Sequence, residues 1–365
     1  MENFKLIEAA ERGERLGRGE LARLLTAGEA GAREALFAAA CRVKAAEVGR
    51  KVFLRGIVEF SNLCSKDCFY CGIRRSRPGL ERFRMEPGEI LAAARWADEN
   101  GYGSLVLQSG EVESEEFTAF VEDLLRGIKE ISGGRLGVTL SLGEQGAETY
   151  RRWFDAGGDR YLLRIETSDP ELYRRLHPSD HRFDRRRACL ELLRRGGWQV
   201  GTGMMIGLPG QSVESLAADV LFLRDADVDM VGMGPYIPHR ETPLGAKSGE
   251  EDRADRRRRL ELGLRMIALT RLTLRDVNIA AATALQALDP AGRELGLAAG
   301  ANIIMPNITP TRYRDAYQLY DGKPCLDENA ADCRDCLQRR VEDLGETIGF
   351  GERGDSPRFR RRRLS

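Results

Sequence analysis

The sequence predicts an α/β protein folded as a complete (β/α)8 barrel of the TIM type. Short apolar runs rich in β-branched residues alternate with amphipathic helical stretches, and polar residues follow the first five of these runs. A doubly wound open sheet has the same alternation and remains the alternative fold. In both folds the functional site lies at the carboxyl ends of the strands. The eight strand candidates are residues 52–60, 104–108, 137–141, 160–166, 199–206, 229–233, 277–283 and 301–305.

Each of the first seven strand candidates is followed by apolar residues at helical spacing. Pro87 and Ser114 are typical of helix starts, and Gly101 and Gly196 are typical of helix ends. Leucine spacing also predicts a helical extension over residues 1–50, ahead of a barrel domain at 51–310. The helices of the barrel are expected near 87–100, 114–131, 146–156, 184–195, 211–225, 252–274 and 290–298.

The end of the chain reads differently from the barrel. Residues 311–352 form an irregular polar segment that carries a second group of cysteines, Cys325, Cys333 and Cys336. Residues 353–365 contain a block of like charge and are predicted to be a disordered basic tail.

Composition describes an ordinary globular chain with no bias towards nucleic acid or membranes. Lys plus Arg equals Asp plus Glu, at 57 each, and no apolar run is long enough to span a bilayer. The first residues lack the apolar core of a signal peptide. Eight cysteines are too few for a disulfide scaffold in a chain of this size, and grouped free thiols belong in a reducing compartment. The expectation is a cytoplasmic protein with neither a nucleic-acid nor a membrane partner.

Cys64, Cys68 and Cys71 form a C-x3-C-x2-C triple after the first strand, with no further Cys or His before His177. Thiolates suit zinc and iron–sulfur clusters, but structural zinc and ferredoxin-type clusters use four protein ligands. Three thiolates on a [4Fe–4S] cluster leave one iron open to a small molecule. A zinc site completed from a distant element, and simple burial of the thiols, are the alternatives.

The triple resembles the motif of radical S-adenosylmethionine (SAM) enzymes, in which the amine and carboxylate of SAM occupy the open iron. Tyr70, directly before the last cysteine, agrees with this resemblance because the adenine packs there. The resemblance implies one-electron cleavage of SAM to methionine and a 5′-deoxyadenosyl radical. A closed barrel would shield such a radical from water.

The strand ends offer side chains for the rest of SAM. Glu111 follows the second strand and could serve the amine, and Glu166 ends the fourth and could accept the ribose hydroxyls. Thr139 and Ser141 alternate by two, so both face one side of the third strand, here the lumen. Arg186 could pair with the methionine carboxylate as a planar fork. The competing interpretations are local backbone hydrogen bonds for the hydroxyls and a solvated helix face for Arg186.

The chain as a whole resembles the HydE family, the radical SAM maturases of [FeFe]-hydrogenase, which are related to biotin synthase and methylornithine synthase. Biotin synthase shares the cysteine triple but lacks several of the blocks that carry the resemblance. These blocks are IVEFSNLCSKDCFYCGIRRS (57–76), VLQSGE (106–111), VTLSLGE (138–144), DRYLLRIET (159–167), GLPGQ (207–211), DMVGMGPYIPH (229–239), PAGRE (290–294), NIIMPNITP (302–310) and YQLYDGKPC (317–325).

The resemblance implies a site and a role in assembly of the hydrogenase two-iron subcluster. The implied substrate is an iron species bound to cysteine, supplied by the maturase HydG, with the product passed on towards HydF. A ferredoxin or flavodoxin would supply the electron. The implied SAM contacts are Gln108, Thr139, Ser141, Glu166 and Arg186, and the implied substrate cavity is lined by Arg160, Arg164, Thr283 and Tyr320.

Two arginines in this cavity suit an anionic substrate. The second triple, Cys325, Cys333 and Cys336, resembles an optional second iron–sulfur site of the family, with zinc or idle thiols as alternatives. One departure is visible, because the family has His where this chain has Ile165. The lost imidazole favours keeping two alternatives open: a related enzyme acting on a small amino acid or carboxylate, as in methylornithine synthesis, and a non-catalytic iron–sulfur carrier.

Overall fold

A computed structural model describes residues 1–249, 252–327 and 337–364 of the chain. Its centre is a sheet of parallel strands in the order β10-β1-β2-β3-β4-β5-β7-β9, and each of the eight predicted runs contains strand residues. The strands are β1 (Lys51–Ser61), β2 (Ser104–Ser109), β3 (Gly137–Ser141), β4 (Arg160–Leu162), β5 (Gln199–Thr202), β6 (Met205–Ile206), β7 (Met230–Val231), β8 (Gly234–Pro235), β9 (Asn278–Ile279), β10 (Ile303–Ile304) and β11 (Thr347–Ile348).

A second, two-stranded sheet and further short pairings accompany this sheet. β6 and β8 follow β5 and β7 in the chain and pair with each other in parallel, while β11 pairs with the start of β1. Ala280, directly after β9, forms a parallel bridge with Ile303 of β10. The Ala281 N–H donates to the Ile303 carbonyl at 2.9 Å, and the Asn302 N–H donates to the Ile279 carbonyl at 2.9 Å. The two ends of the strand order therefore also exchange hydrogen bonds.

Helices connect the strands and cover the outside of the sheet. Every predicted helical stretch contains a helix. Of the helices named here, α7, α11, α13 and α14 were not predicted. The helices are α1 (Glu2–Glu11), α2 (Arg18–Thr26), α3 (Ala32–Glu47), α4 (Pro87–Glu99), α5 (Glu115–Ile131), α6 (Ala147–Asp155), α7 (Pro170–Leu176), α8 (Phe183–Arg195), α9 (Val213–Asp225), α10 (Arg253–Leu274), α11 (Thr283–Leu288), α12 (Gly292–Ala298), α13 (Thr311–Arg314) and α14 (Pro357–Leu364).

Helix starts follow ordinary capping chemistry. The Ser114 hydroxyl accepts from the Phe117 N–H ahead of α5, and the Ser212 hydroxyl accepts from the Ser215 N–H ahead of α9. These caps satisfy backbone donors that have no partner within the helix. No helix among the described residues is both long and apolar enough to cross a membrane.

The predicted disordered tail is wrong for residues 353–364, which pack against the amino end of the barrel. The Ser104 hydroxyl donates to the Arg353 carbonyl at 2.8 Å, and the Ser356 N–H donates to Gln199 at 2.9 Å. The arginines of α14 meet carboxylates that precede β7 and β9, and these opposite charges offset the like-charge block. The ion pairs join Arg358 to Asp227 and Asp276, Arg361 to Asp276, and Arg362 to Asp227 and Asp229.

Candidate functional site

The cysteine triple lies in the loop after β1, at the carboxyl ends of the strands. Neighbouring loops fix the backbone of this loop. The Ser65 N–H donates to the Glu111 carbonyl at 2.7 Å, and the Phe69 N–H donates to the Leu176 carbonyl at 2.9 Å. The Leu244 N–H in turn donates to the Phe69 carbonyl at 2.9 Å. The loop is therefore anchored by segments that follow β2, β4 and β8.

The three thiols are free and share one environment. Burial raises the pKa of all three thiols, and for Cys71 it does so to about 12. The neighbouring thiols raise the pKa values of Cys68 and Cys71 further, because thiolates held close together repel one another. The Glu111 N–H donates to the Cys64 sulfur at 3.3 Å. Such a group is suited to a cationic metal centre, which stabilises the thiolate form of each ligand.

Glycines allow other chain segments to approach the cysteine loop closely. A Cβ at Gly110 would lie 2.2 Å from the Leu63 carbonyl oxygen and 2.7 Å from Cys64 Cβ. A Cβ at Gly72 would lie 2.0 Å from the Gln318 carbonyl oxygen. Only glycine fits these two positions without displacing backbone. The loop is thereby held between the end of β2 and the C-terminal segment.

Tyr70, the predicted adenine contact, is fixed by a histidine. Its hydroxyl lies 3.2 Å from His177 Nε2, and the two rings meet edge to face at 5.4 Å. His177 Nδ1 is 2.8 Å from the Tyr173 carbonyl, which can only accept, so Nδ1 carries the proton and Nε2 accepts from Tyr70. Burial lowers the pKa of His177 to about 2, so the ring is neutral.

Arg186, the predicted carboxylate-binding residue, is buried beside the cysteine loop. Its Nε donates to Glu144 Oε1 at 2.6 Å, its Nη1 donates to the Arg164 carbonyl at 2.7 Å, and its Nη2 lies 2.6 Å from His181 Nε2. These contacts engage three of the five guanidinium N–H groups. Burial opposes ionisation of Glu144, yet the charged Arg186, which donates to it, holds its pKa below the usual range.

Sequence reasoning missed Glu144, His177 and His181 as members of the site. A signal existed for each of them. Glu144 ends the polar run after β3, and His177 and His181 are two of only three histidines in the chain, spaced by four. Their partners come from different strand ends, so only the fold reveals the connection.

Glu111 and Glu166 both lie at strand ends, as predicted. Glu111 Oε2 accepts from the Glu144 N–H at 2.9 Å, and Glu111 Oε1 is 3.2 Å from Lys66 Nζ. Glu166 has φ of +66°, a left-handed conformation that is strained for a non-glycine residue. Its Oε2 lies 3.0 Å from Arg164 Nη2. Besides burial, the Glu166 charge raises the pKa values of Tyr70 and Cys71, so this carboxylate lies close to the cysteine loop.

Gln108, Thr139 and Ser141 lie on adjacent strands, with Gln108 opposite Ser141 in the register and Val106 opposite Thr139. The Gln108 amide donates to the Tyr317 hydroxyl at 3.2 Å. Thr139 lines an interior cavity, and its hydroxyl has no hydrogen-bond partner among the described residues. A buried hydroxyl without a partner fits a lumen that receives a polar ligand.

Arg160 was predicted in the substrate cavity, and this is wrong. It is the first residue of β4, so it lies at the amino end of the barrel, fully buried. It forms an ion pair with Asp355, and it donates to the Ser104 hydroxyl at 3.1 Å and the Arg353 carbonyl at 2.7 Å. The rise per residue explains the error, because Arg164 lies two residues beyond the end of β4 and four residues after Arg160, so the two arginines lie at different levels of the barrel.

Arg164, Thr283 and Tyr320 remain on the side of the carboxyl ends. Tyr320 is half-buried, and burial together with the Glu59 charge raises its pKa, while Arg293 and Arg164 oppose this shift. The Thr283 hydroxyl accepts a long 3.4 Å hydrogen bond from Arg293. Arg293, which was not predicted, therefore adds a second cationic residue to this group, beside Arg164.

Ile165 does not occupy the site. It is fully buried in the hydrophobic core with Tyr161 and Leu163, because alternate residues of this segment point away from the lumen. The absence of an imidazole at this position therefore removes no group from the lumen.

The second cysteine triple is only partly described. Cys325 is half-buried, has φ of +63°, and its carbonyl accepts from Arg314 Nη1 at 2.8 Å. Cys333 and Cys336 lie outside the described residues.

Comparison with known proteins agrees with the site. Residues 58–223 match the radical SAM superfamily. The chain is 44% identical to the [FeFe] hydrogenase maturase subunit HydE of Thermotoga maritima over 349 residues, which cover 96% of each chain. It is 29% identical to 3-methylornithine synthase of Methanosarcina barkeri over 86% of this chain and 84% of that protein.

Solved structures show the same architecture. Methylornithine synthase (PylB) superposes with a TM-score of 0.78 and 26% identity, covering 95% of this chain and 98% of that one. The FeFe-hydrogenase maturase HydG from Carboxydothermus hydrogenoformans superposes with a TM-score of 0.77, covering 96% of this chain and 79% of that one. At 20% identity, the likeness to HydG concerns the fold alone.

Proposed function

The chain belongs to the HydE family of the radical SAM superfamily, and from this premise we propose that it cleaves SAM reductively during maturation of [FeFe]-hydrogenase. The observation that carries the proposal is the group of three free thiols at the barrel mouth. We assign Cys64, Cys68 and Cys71 as the three protein ligands of a [4Fe–4S] cluster. When bound, the cluster supplies the electron that breaks the S–C5′ bond of SAM.

The residues around the loop suit the other groups of SAM. We propose that Tyr70, which His177 holds, packs against the adenine and that Glu166 accepts from the ribose hydroxyls. Arg186 is buried and charged, which supports a role in binding the methionine carboxylate. Gln108 and Ser141 line the same level of the lumen. Held by these groups, SAM would have little rotational freedom, which favours cleavage of a single bond.

The lumen beyond this site suits an anionic substrate. Arg164 and Arg293 bring positive charge to its wall, and the Tyr320 hydroxyl adds a donor that stays protonated at neutral pH. Guanidinium groups bind carboxylates in two-point contacts. We therefore propose as substrate the cysteine-bound iron species made by HydG, with the product passed towards HydF and electrons supplied by ferredoxin or flavodoxin in the cytoplasm.

We propose that the barrel is complete. The bridge between Ala280 and Ile303, with its two flanking hydrogen bonds, supports closure between β9 and β10. A closed lumen excludes water from a radical generated at the mouth.

The test is anaerobic reconstitution of the full chain with iron and sulfide, followed by reduction in the presence of SAM. We expect about four irons at the first site and formation of 5′-deoxyadenosine and methionine. Cys68→Ala abolishes both, and Cys41→Ala, which alters a thiol on α3, leaves both unchanged. Cys333→Ala leaves SAM cleavage largely intact, and it removes additional iron only where the second triple holds a cluster. Binding of one zinc ion without sulfide at the first triple would overturn the proposal.

A second candidate is an enzyme of the methylornithine synthase type, because PylB shares nearly the whole fold with this chain. The deciding assay offers small amino acids or the iron species with SAM. Methylornithine formation favours this candidate, and consumption of the iron species favours the maturase. A protein that binds clusters but yields no 5′-deoxyadenosine would instead be an iron–sulfur carrier.

A further inference from the structure

We propose that His181 donates a hydrogen bond from Nδ1 to the sulfur of Cys68 and thereby raises the reduction potential of the cluster. His181 acts as a positioning and tuning residue, since it acts through a ligand and touches neither SAM nor substrate. The inference rests on the proposed function, because it takes Cys68 to be a cluster ligand. Nothing in the cysteine motif itself points to this histidine, which lies 113 residues further along the chain.

The proton position follows from the partners of the ring. His181 Nε2 lies 2.6 Å from Nη2 of Arg186. A guanidinium has only donors, so a contact this short requires Nε2 to accept. A neutral imidazole that accepts at Nε2 carries its proton on Nδ1. Nδ1 lies 3.6 Å from the Cys68 sulfur, within the reach of an N–H donor to sulfur. The arginine thus sets the tautomer that aims a proton at the thiolate.

The ring is held in this orientation from both sides. His181 is 3% exposed, and its ring meets those of His177 and Tyr173 edge to face at 4.4 and 5.7 Å. Arg186 is itself fixed, since its Nε donates to Glu144 Oε1 at 2.6 Å. Glu144 Oε1 is also 3.2 Å from His181 Nε2, which is farther than the arginine contact. The shorter contact with the arginine therefore decides the role of Nε2.

The neighbouring His177 provides the natural control. It is buried next to the same loop, yet its Nδ1–H is given to the Tyr173 carbonyl at 2.8 Å and its Nε2 faces the Tyr70 hydroxyl. Its two ring nitrogens are thereby engaged by these groups. Two histidines four residues apart, in the connection between α7 and α8, thus have separate roles. His177 holds an aromatic side chain, and His181 contacts a ligand sulfur.

A hydrogen bond to a ligand sulfur stabilises the state with more negative charge. Reduction adds one electron to the cluster, so the Nδ1–H contact with Cys68 favours the reduced form. A charge-assisted hydrogen bond contributes enough to change the reduction equilibrium about tenfold, which is about 59 mV for one electron. The carboxylate of Glu144 offsets the positive charge of Arg186. The effect on the reduction potential therefore comes from the hydrogen bond that His181 donates to the Cys68 sulfur.

The test is a potentiometric titration of the reconstituted full chain without SAM, followed by electron paramagnetic resonance. We expect His181→Ala to disfavour reduction about tenfold, a potential lower by about 59 mV. His181→Asn, whose side-chain amide can reach the position of Nδ1, should recover most of the wild-type potential. His177→Ala, which removes a ring that contacts Tyr70 and not a ligand sulfur, should change the potential less than His181→Ala does. Equal potentials in the wild type and His181→Ala would overturn the inference.

A second measurement does not depend on the variants. Nitrogen chemical shifts of the histidine rings in the full chain without iron distinguish the two tautomers, and we expect His181 to carry its proton on Nδ1. A proton on Nε2 would contradict the inference.

A different outcome would show metal binding by the histidines themselves. The ligand atoms of Cys68, His177 and His181 lie within 4.8 Å of one another. Zinc binding to the iron-free chain that is lost in both His177→Ala and His181→Ala would assign the pair as ligands and refute the tuning role. Failure of the wild type to assemble any cluster would instead refute the proposed function.

Discussion

Arg160 and Asp355 form a buried ion pair at the amino end of the barrel, on the side opposite the cysteine loop. The guanidinium is fully buried and Asp355 is one-quarter exposed. The Gln199 amide also donates to Asp355, at 3.0 Å. A residue near the end of the chain thus neutralises a charge on β4, so residues 353–356 are part of the barrel.

The first prediction distinguishes the roles of Arg160 and Arg164, one in stability and the other in substrate binding. Arg160→Met leaves Asp355 unpaired and should lower the free energy of unfolding by about 3–5 kcal/mol. Arg164→Met should cost little stability, because its side chain is one-third exposed. It should weaken substrate binding by about 1.5–3 kcal/mol, the value of a hydrogen bond to a charged group. Urea unfolding and substrate titration check both variants, and weaker substrate binding by folded Arg160→Met would contradict the assignment.

The second prediction concerns the segment that covers the barrel mouth. Lys323 Nζ lies 2.5 and 2.7 Å from the two carboxylate oxygens of Glu59, and both side chains are buried. Lys323→Met should lower the free energy of unfolding by about 3 kcal/mol, because it leaves the buried Glu59 carboxylate without its cation. Adding Glu59→Gln should recover part of this loss.

The control for this prediction is Lys51→Met, which removes a solvent-exposed pair with Glu352 and should cost less than about 1 kcal/mol. Thermal unfolding and limited proteolysis of residues 311–327 provide the measurements. Equal losses in the two lysine variants would show that the pair with Glu59 does not anchor the segment.

The third prediction is a pH dependence. Asp219 is fully buried, and burial raises its pKa from 3.8 to about 7, although Ser168 donates to it twice at 2.6 Å. The folded state thus binds this proton more tightly than the unfolded chain, so stability contributed by the protonated form is lost as pH rises to about 7. Asp219→Asn should remove this loss, so its Tm should rise relative to the wild type between pH 5 and pH 8.

The matched variant is Asp225→Asn, at an exposed carboxylate on the same helix. Its Tm difference from the wild type should not change with pH. A pH-independent difference for Asp219→Asn as well would contradict the raised pKa.

The fourth prediction concerns α14. Truncation after Ser356 removes the arginine partners of Asp229 and Asp276, both of which are buried. We expect a loss of about 3 kcal/mol or more, because buried carboxylates are left without their cations. Arg360→Gln, on the same helix and exposed, should change stability by less than about 0.5 kcal/mol. Calorimetry of the truncated chain measures this loss. An unchanged Tm would show that α14 does not contribute to stability.

Local pattern sufficed for much of the architecture. Strand runs and helix starts depend on nearest neighbours in the chain, so the alternation of elements and the cap at Ser114 follow from short-range chemistry. The cysteine triple is equally local, because its spacing brings three thiols together in one loop.

The tertiary structure decided at which end of the barrel each charged side chain lies and which residue it pairs with. Arg160 and Arg164 look equivalent in the sequence, yet strand geometry places them at opposite levels of the barrel, and the contacts of Asp355 fix the first. The basic tail resembled a solvated end until the carboxylates at Asp227, Asp229 and Asp276 were brought beside it. The Coulomb energy of an ion pair depends on the distance between the two charges in space. Charges that are far apart in the sequence come close only when the strands align, so the sequence pattern alone does not reveal these pairs.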